Sequence, residues 1–218
     1  MYINLKFTMK NVAIIMGGYS SEYKISLTSG NVVFNNINRA KFNPYRIHIF
    51  KEKWVYVDEN DAEFPIDKND FSVTVNGMKI NFDVVFNAIH GTPGEDGLMQ
   101  AYFELLNIPQ TSCDYYQAAL TFNKRDMLSV LKPYGIKTAE SYYLNLGDEI
   151  NIDTILAKVG LPCFVKPNKS GSSFGISKVK TREEFLPAIE NAYKEDDEII
   201  IESFLDGTEV SVGVINYK

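Results

Sequence analysis

The chain has 218 residues, with 28 acidic against 22 basic side chains and a formal net charge of -6. Hydrophobic residues make up 45% and charged residues 23%, an ordinary globular balance that excludes a disordered tail, a collagen-like chain and a coiled coil. No apolar run approaches the ~20 residues that span a bilayer, and the acidic balance argues against a nucleic-acid binder that works by neutralising phosphates.

Cys113 and Cys163 are the two thiols, and they stand at no metal-ligand spacing. With no secretory signal in residues 1–10, they point to a reduced, cytoplasmic protein. Met9-Lys10 directly before the first apolar run reads residues 1–8 as an extension of a shorter start.

Val12-Ala13-Ile14-Ile15-Met16 is a continuous apolar run closed by Gly17-Gly18, the pattern of a buried parallel strand. Ser20 and Ser21 offer N-caps for a helix over Glu22–Asn38, with Ile25, Val32, Val33, Phe34 and Ile37 as its apolar set. Tyr45–Phe50 alternates and predicts a second strand. A strand, glycine turn, helix and strand in this order call for a parallel sheet. Trp54–Val57 and Val73–Ile80 are short strands, with Asn76-Gly77 as a type I′ hairpin turn. Asp83–Ile89 is another buried strand, ending at His90-Gly91.

Gly94-Glu95-Asp96-Gly97 opens a helix over Leu98–Leu106, and Ile108-Pro109-Gln110 closes the first domain. Tyr115–Leu131 reads as two helices, with Lys124 near the start of the second and Pro133-Tyr134-Gly135 as the stop. A strand over Glu140–Leu144, a helix over Asp153–Val159 and a strand over Cys163–Lys166 follow. The Asn168–Gly175 loop then leads into a returning strand over Ile176–Lys180. Thr181-Arg182-Glu183-Glu184 has the form of a capping box, so a helix runs to about Lys194. Glu198–Glu202 and Glu209–Ile215 complete the strands. The last of these stops close to Lys218 with no cap or polar tail, so the chain reads as incomplete at its C-terminus.

The Lys166-to-Gly175 stretch is the most informative. A lysine at a strand end faces a loop in which Gly171, Ser172, Ser173 and Gly175 let backbone N–H groups approach an anion. It is not a Walker A loop, because the G-x-x-x-x-G-K-[ST] spacing is absent. Taken alone, Lys124 reads as a surface lysine, and Glu202 and Glu209 as solvated acids at strand ends. Glu22 follows the first strand at the edge where open α/β sheets bind ligands. Its bland alternative is a first-turn acid facing the helix dipole. His90 ends another strand at the same edge, so the two following loops are expected to converge on one cleft.

Taken in order, these segments resemble the D-alanine–D-alanine ligase family of the ATP-grasp superfamily, from Lys10 to Lys218. The resemblance rests on Gly17-Gly18-Tyr19-Ser20-Ser21-Glu22 with Ser26-Leu27 and Ser29-Gly30, and on His90-Gly91 with Gly94-Glu95-Asp96-Gly97. It rests further on Lys124, on Val165-Lys166-Pro167 with Gly171-Ser172-Ser173-Phe174-Gly175, and on Glu202 with Phe204-Leu205, Gly207 and Glu209. It implies an α/β chain: a Rossmann-like parallel-sheet (pre-ATP-grasp) domain over 1–112, then an α+β ATP-grasp domain incomplete at the C-terminus. The central subdomain would span 113–205, and 206–218 would begin the next.

The resemblance implies ATP-dependent ligation of two D-alanine molecules through an acyl phosphate, for peptidoglycan precursors. Glu22 and Ser172 would be catalytic, and Glu22 and His90 would bind substrate. Lys124, Lys166, Gly171, Ser172, Ser173, Glu202 and Glu209 would bind ATP. Mg²⁺ would be held by residues the family places after the equivalent of Lys218, so no metal ligand is expected within this chain and these residues alone are expected to be inactive. A cytoplasmic homodimer that binds neither nucleic acid nor membrane is the expected setting. Tyr23 and Lys24 stand where many members have an arginine and a second glutamate, which alters the charge around the substrate position. The alternatives are another ATP-grasp ligase, such as a D-alanine–D-lactate ligase, or a non-catalytic nucleotide-binding or dimerising fragment.

Overall fold

A computed structural model describes residues 9–214. The readings made for residues 1–8 and for the end of the last expected strand lie outside that range. Strand β1 (Lys10–Gly17) pairs in parallel with β2 (Phe42–Ile49), Ile15 opposite Ile47, and with β7 (Val84–Asn87), Ile14 opposite Phe86. Both faces of β1 are covered, and Ala13, Ile14, Ile15 and Met16 have no exposed surface. This is why the run is continuously apolar instead of alternating.

The parallel unit is extended by an antiparallel meander of β3 (Trp54–Val57), β4 (Glu63–Asp67), β5 (Ser72–Val75) and β6 (Met78–Ile80). The sheet order is β6-β5-β4-β3-β2-β1-β7. Asn76 and Gly77 both have positive φ, 50° and 78°, as the expected hairpin turn demands. Strand β4 is not anticipated by the sequence reading. On one face, Ile15, Ile47, Val73 and Phe103 enclose Phe71 in the larger core, beneath helix α2 (Leu98–Leu105).

Helix α1 (Tyr23–Asn36) covers the other face, where Leu27, Val33, Phe34 and Ile37 pack on Val12, Ile14 and Met16. Two sequence expectations are corrected here. Ile25 and Val32 point outward, 40% and 57% exposed, because the buried stripe runs through Leu27 instead. Neither Ser20 nor Ser21 is the N-cap. Glu22 holds that position without a side-chain cap bond.

Helices α3 (Tyr115–Phe122) and α4 (Lys124–Leu131) are capped by Asp114 and Asn123, whose side chains accept from Gln117 N and Asp126 N. They lead to a four-stranded antiparallel sheet in the order β10-β9-β11-β8, made by β8 (Ser141–Asn145), β9 (Cys163–Pro167), β10 (Ser177–Val179) and β11 (Glu198–Ser203). Helices α5 (Ile152–Val159) and α6 (Phe185–Ala192) cover one face, with Ile155, Phe185 and Ile189 over Val165, Val179, Ile199 and Ile201. The Thr181–Glu184 capping box forms as read, around a 3₁₀ turn that runs into α6. Cys163 is buried in this second core and Cys113 is exposed.

The expected strand from Glu209 does not form over residues 209–214. Val210, Val212 and Val214 alternate there at 74%, 79% and 92% exposure, with no neighbouring strand to supply a ladder among the described residues. Alternation states which face a strand would bury, but a strand exists only through its pairing. No helix among the described residues is long and apolar enough to cross a membrane.

Candidate functional site

The turns after β1 and β7 interlock. Tyr19 N–H donates to Thr92 O at 2.8 Å, and the Ser20 hydroxyl donates to His90 O at 3.1 Å while accepting from Glu22 N–H at 3.2 Å. Ser26, fully buried on α1, fastens the two strand ends. Its Oγ accepts from Gly17 N–H at 2.9 Å and donates to Ala88 O at 2.8 Å. The sequence therefore does bring Glu22 and His90 to one sheet edge. The His90 ring turns to α1, with Nε2 at 3.2 Å from Ser29 Oγ.

Glu22 is 2% exposed, and its carboxylate is met by the loop after β9. Oε1 accepts from Gly171 N–H at 3.2 Å, and Oε2 accepts from the Ser172 hydroxyl. A Cβ at Gly171 would lie 3.1 and 3.2 Å from the two carboxylate oxygens, so the close approach leaves little space for a side chain. Ser172 and Ser173 hold the loop's curvature with φ of 46° and 62°. Ser21 Oγ donates to Glu195 Oε1 at 3.2 Å, a second tie between the first sheet's turn and the second sheet's side. Two hollows of mixed polar and apolar lining have other walls. One of about 400 Å³ is bounded by Gly18, Tyr19, Tyr23 and Phe50, and one of about 240 Å³ by Asn87, Glu95, Gln100 and Cys113. Neither is the common Glu22–His90 cavity that the sequence suggests, because the Gly171 N–H and the Ser172 hydroxyl pack directly on Glu22.

The lysines meet on the other side of the same loop. Lys124 is no surface lysine: its ammonium donates to Ser170 O at 2.6 Å and to Asn168 O at 3.2 Å. Burial holds its pKa below the ordinary 10.5, and the nearby charge of Lys166 acts in the same direction. Glu202, Asp196 and Glu22 pull against them. Lys166, on β9, forms a 2.6 Å ion pair with Glu202 on β11 and lies 5.4 Å from the Phe164 ring centroid. Lys166 stands opposite Ile200 and Glu202 opposite Phe164, so the pair is a cross-strand diagonal on one face of the sheet. Two cations thus stand together at this corner, Lys166 paired with Glu202 and Lys124 held by loop carbonyls.

Glu209 is not drawn into the cluster. It is exposed, and among the described residues its carboxylate makes no hydrogen bond or ion pair. The reason is the missing strand: without a ladder over 209–214, nothing directs its side chain. Among the described residues no three His, Cys, Asp or Glu side chains converge as metal ligands. The described residues therefore form no all-protein cage for Mg²⁺. Sequence reasoning overlooked Asn168 and Asn123. The second carried a signal, an asparagine directly before a helix.

Residues 11–113 match the family description "D-ala D-ala ligase N-terminus", and residues 130–218 match "D-ala D-ala ligase C-terminus". A D-alanine--D-alanine ligase of Flavobacterium johnsoniae is 81% identical over 210 residues, which are 96% of this chain and 65% of that protein. The solved D-alanyl-alanine synthetase A of Vibrio cholerae O1 has a TM-score of 0.79 at 30% identity, covering 91% of this chain and 60% of that one. A D-alanine--D-alanine ligase of Bacillus anthracis, solved in complex with ATP, has a TM-score of 0.68 at 27% identity, covering 91% and 60%. The chain spans no more than 65% of the length of any of these three relatives.

Proposed function

Because the chain belongs to the D-alanine–D-alanine ligase family, we propose that the whole protein joins two D-alanine molecules at the expense of ATP, supplying dipeptide for peptidoglycan precursors. The carboxylate of one D-alanine attacks the γ-phosphorus, giving an acyl phosphate and ADP. The amine of the second then attacks the acyl carbon, forming the amide bond and releasing phosphate.

Phosphoryl transfer depends more on positioning and charge neutralisation than on covalent help from the protein. Lys124 and Lys166 are assigned to the phosphates, with the Gly171, Ser172 and Ser173 loop closing over them. Glu202 is assigned to the adenine side and Glu209 to the ribose. Glu22 would hold the ammonium of the first D-alanine by a charge-assisted hydrogen bond, with His90 near its carboxylate. The catalytic part of Glu22 and Ser172 is to keep loop and substrate in one frame.

The observation that carries this reading is that one loop touches both sets of groups. Its Gly171 and Ser172 donors reach Glu22, while its Ser170 and Asn168 carbonyls accept from Lys124. Domain limits of 1–112, 113–205 and 206–218, a homodimer, and a cytoplasmic setting away from nucleic acid and membrane belong to the same proposal. Fluorescence titration with an ATP analogue tests it. Binding that is lost in Lys124→Ala and Lys166→Ala agrees, and binding unaffected by both changes rejects the phosphate assignment.

A further inference from the structure

Asn168 is 1% exposed, directly after β9, in a loop of otherwise partly exposed residues. Its polar groups are all engaged. The side-chain oxygen accepts from Arg125 N–H at 2.8 Å. The side-chain amide donates to Asn123 Oδ1 at 2.9 Å and to Glu198 Oε2 at 2.8 Å. Its backbone N–H donates to Glu198 O at 2.9 Å, and its carbonyl accepts from Lys124 N–H at 3.3 Å and from the Lys124 ammonium at 3.2 Å. One buried side chain thus spans the first turn of α4, the end of β9 and the start of β11.

We propose that Asn168 is a positioning residue: it clamps the first turn of α4 to the end of β9, and so sets the Lys124 ammonium beside the loop and near Lys166. The assignment rests on the nucleotide reading above for its consequence, but not for its geometry. Asparagine suits the place because it offers an acceptor to one backbone N–H and two donors to two oxygens. Alanine would leave Arg125 N–H, Asn123 Oδ1 and Glu198 Oε2 without these partners. Glu198 registers the same contact. Burial raises its pKa, yet the Asn168 amide and the charge of Lys169 outweigh that and hold it below the ordinary value.

The test is an NMR titration of the Lys124 side chain in the purified chain. Lys124 is surrounded by Lys166, Glu202, Asp196 and Glu22, none of which is changed by substitution at 168. In the parent, Lys124 titrates below 10.5. In Asn168→Ala its midpoint moves up toward that value as the ammonium leaves the loop carbonyls for water. A folded Asn168→Ala chain with Lys124 titrating as in the parent overturns the assignment, even if its melting temperature falls, because loss of stability alone marks a merely structural role. If Asn168→Ala does not fold, Asn168→Ser is read by the same criterion. Adding ATP to the parent separates the two claims. An upward shift of Lys124 agrees with the nucleotide reading. No shift, with Asn168→Ala still moving Lys124, leaves the clamp standing and counts against the nucleotide.

Discussion

Glu22 accepts a hydrogen bond from the Ser172 hydroxyl across a separation of 150 residues. The contact joins the turn after the first parallel strand to the Gly/Ser loop of the second sheet, and the carboxylate that makes it is buried. A buried carboxylate that accepts from a hydroxyl and a backbone N–H is held by charge-assisted bonds, each worth about 1.5–3 kcal/mol.

Glu22→Gln keeps the size and one acceptor but removes the charge. In the whole protein it is expected to raise the apparent KM for the first D-alanine by about 10- to 100-fold, the equivalent of one charge-assisted bond. Folding should suffer by about 1–3 kcal/mol, because both contacts lose their charge. Steady-state kinetics and a melting curve on this one variant check both. A stability loss with unchanged KM would leave Glu22 only a structural anchor for the Gly171–Ser172 loop.

Gly171→Ala places a methyl group 3.1–3.2 Å from the Glu22 oxygens. The loop must retreat by a few tenths of an ångström, which weakens the Ser172–Glu22 bond. A drop of about tenfold in kcat/KM with a near-native fold is expected, since small misplacements of positioned groups are costly. Kinetics equal to the parent's would show that the loop's seat on Glu22 is incidental.

The Lys166–Glu202 pair is partly buried, with side-chain exposures of 25% and 14%. Glu202→Ala strands the lysine charge and should destabilise the fold by about 1–3 kcal/mol, whereas Glu202→Gln, which still accepts from Lys166, should cost less. Denaturant unfolding of the two variants gives the comparison. Equal costs would mean the pair is screened by solvent.

Much of this was legible in the chain. The Val12–Met16 run, the Asn76-Gly77 turn and the Thr181–Glu184 box each carry local chemistry that admits one structure. Strand β4 escaped because Pro65 interrupts it and its end residues Glu63 and Asp67 are acidic, yet it pairs with β3 through Pro65 and with β5 through Ile66. The Glu209–Ile215 alternation was legible but not sufficient, because no strand among the described residues pairs with residues 209–214. Asn168 was invisible for a different reason. Its burial is set by Asn123, Arg125 and Glu198, which no periodicity links to it.

Lys124 makes the fold's stability depend on pH in a stated direction. Its folded pKa lies below the unfolded 10.5, so burying the charged form costs stability at neutral pH. That cost fades as pH rises from the folded value toward 10.5. Replacing Lys124 by Met should therefore remove a rising component of stability in that alkaline window. The parent-minus-variant difference in unfolding free energy against pH measures it, and tyrosine titrations common to both chains cancel. A flat difference would mean Lys124 is as well solvated when folded as when unfolded.

In the proposed reaction ATP is used at Lys124 and Lys166 to activate a D-alanine carboxylate. This use of ATP is tested most directly by D-alanine-dependent phosphate release from ATP, measured together with dipeptide, for the whole protein and its Lys166→Ala variant. Equimolar phosphate and D-alanyl-D-alanine are expected from the parent, with a fall of about 100-fold or more in kcat/KM for ATP in the variant. Phosphate release that ignores D-alanine, or unchanged ATP kinetics in Lys166→Ala, would contradict the proposed reaction.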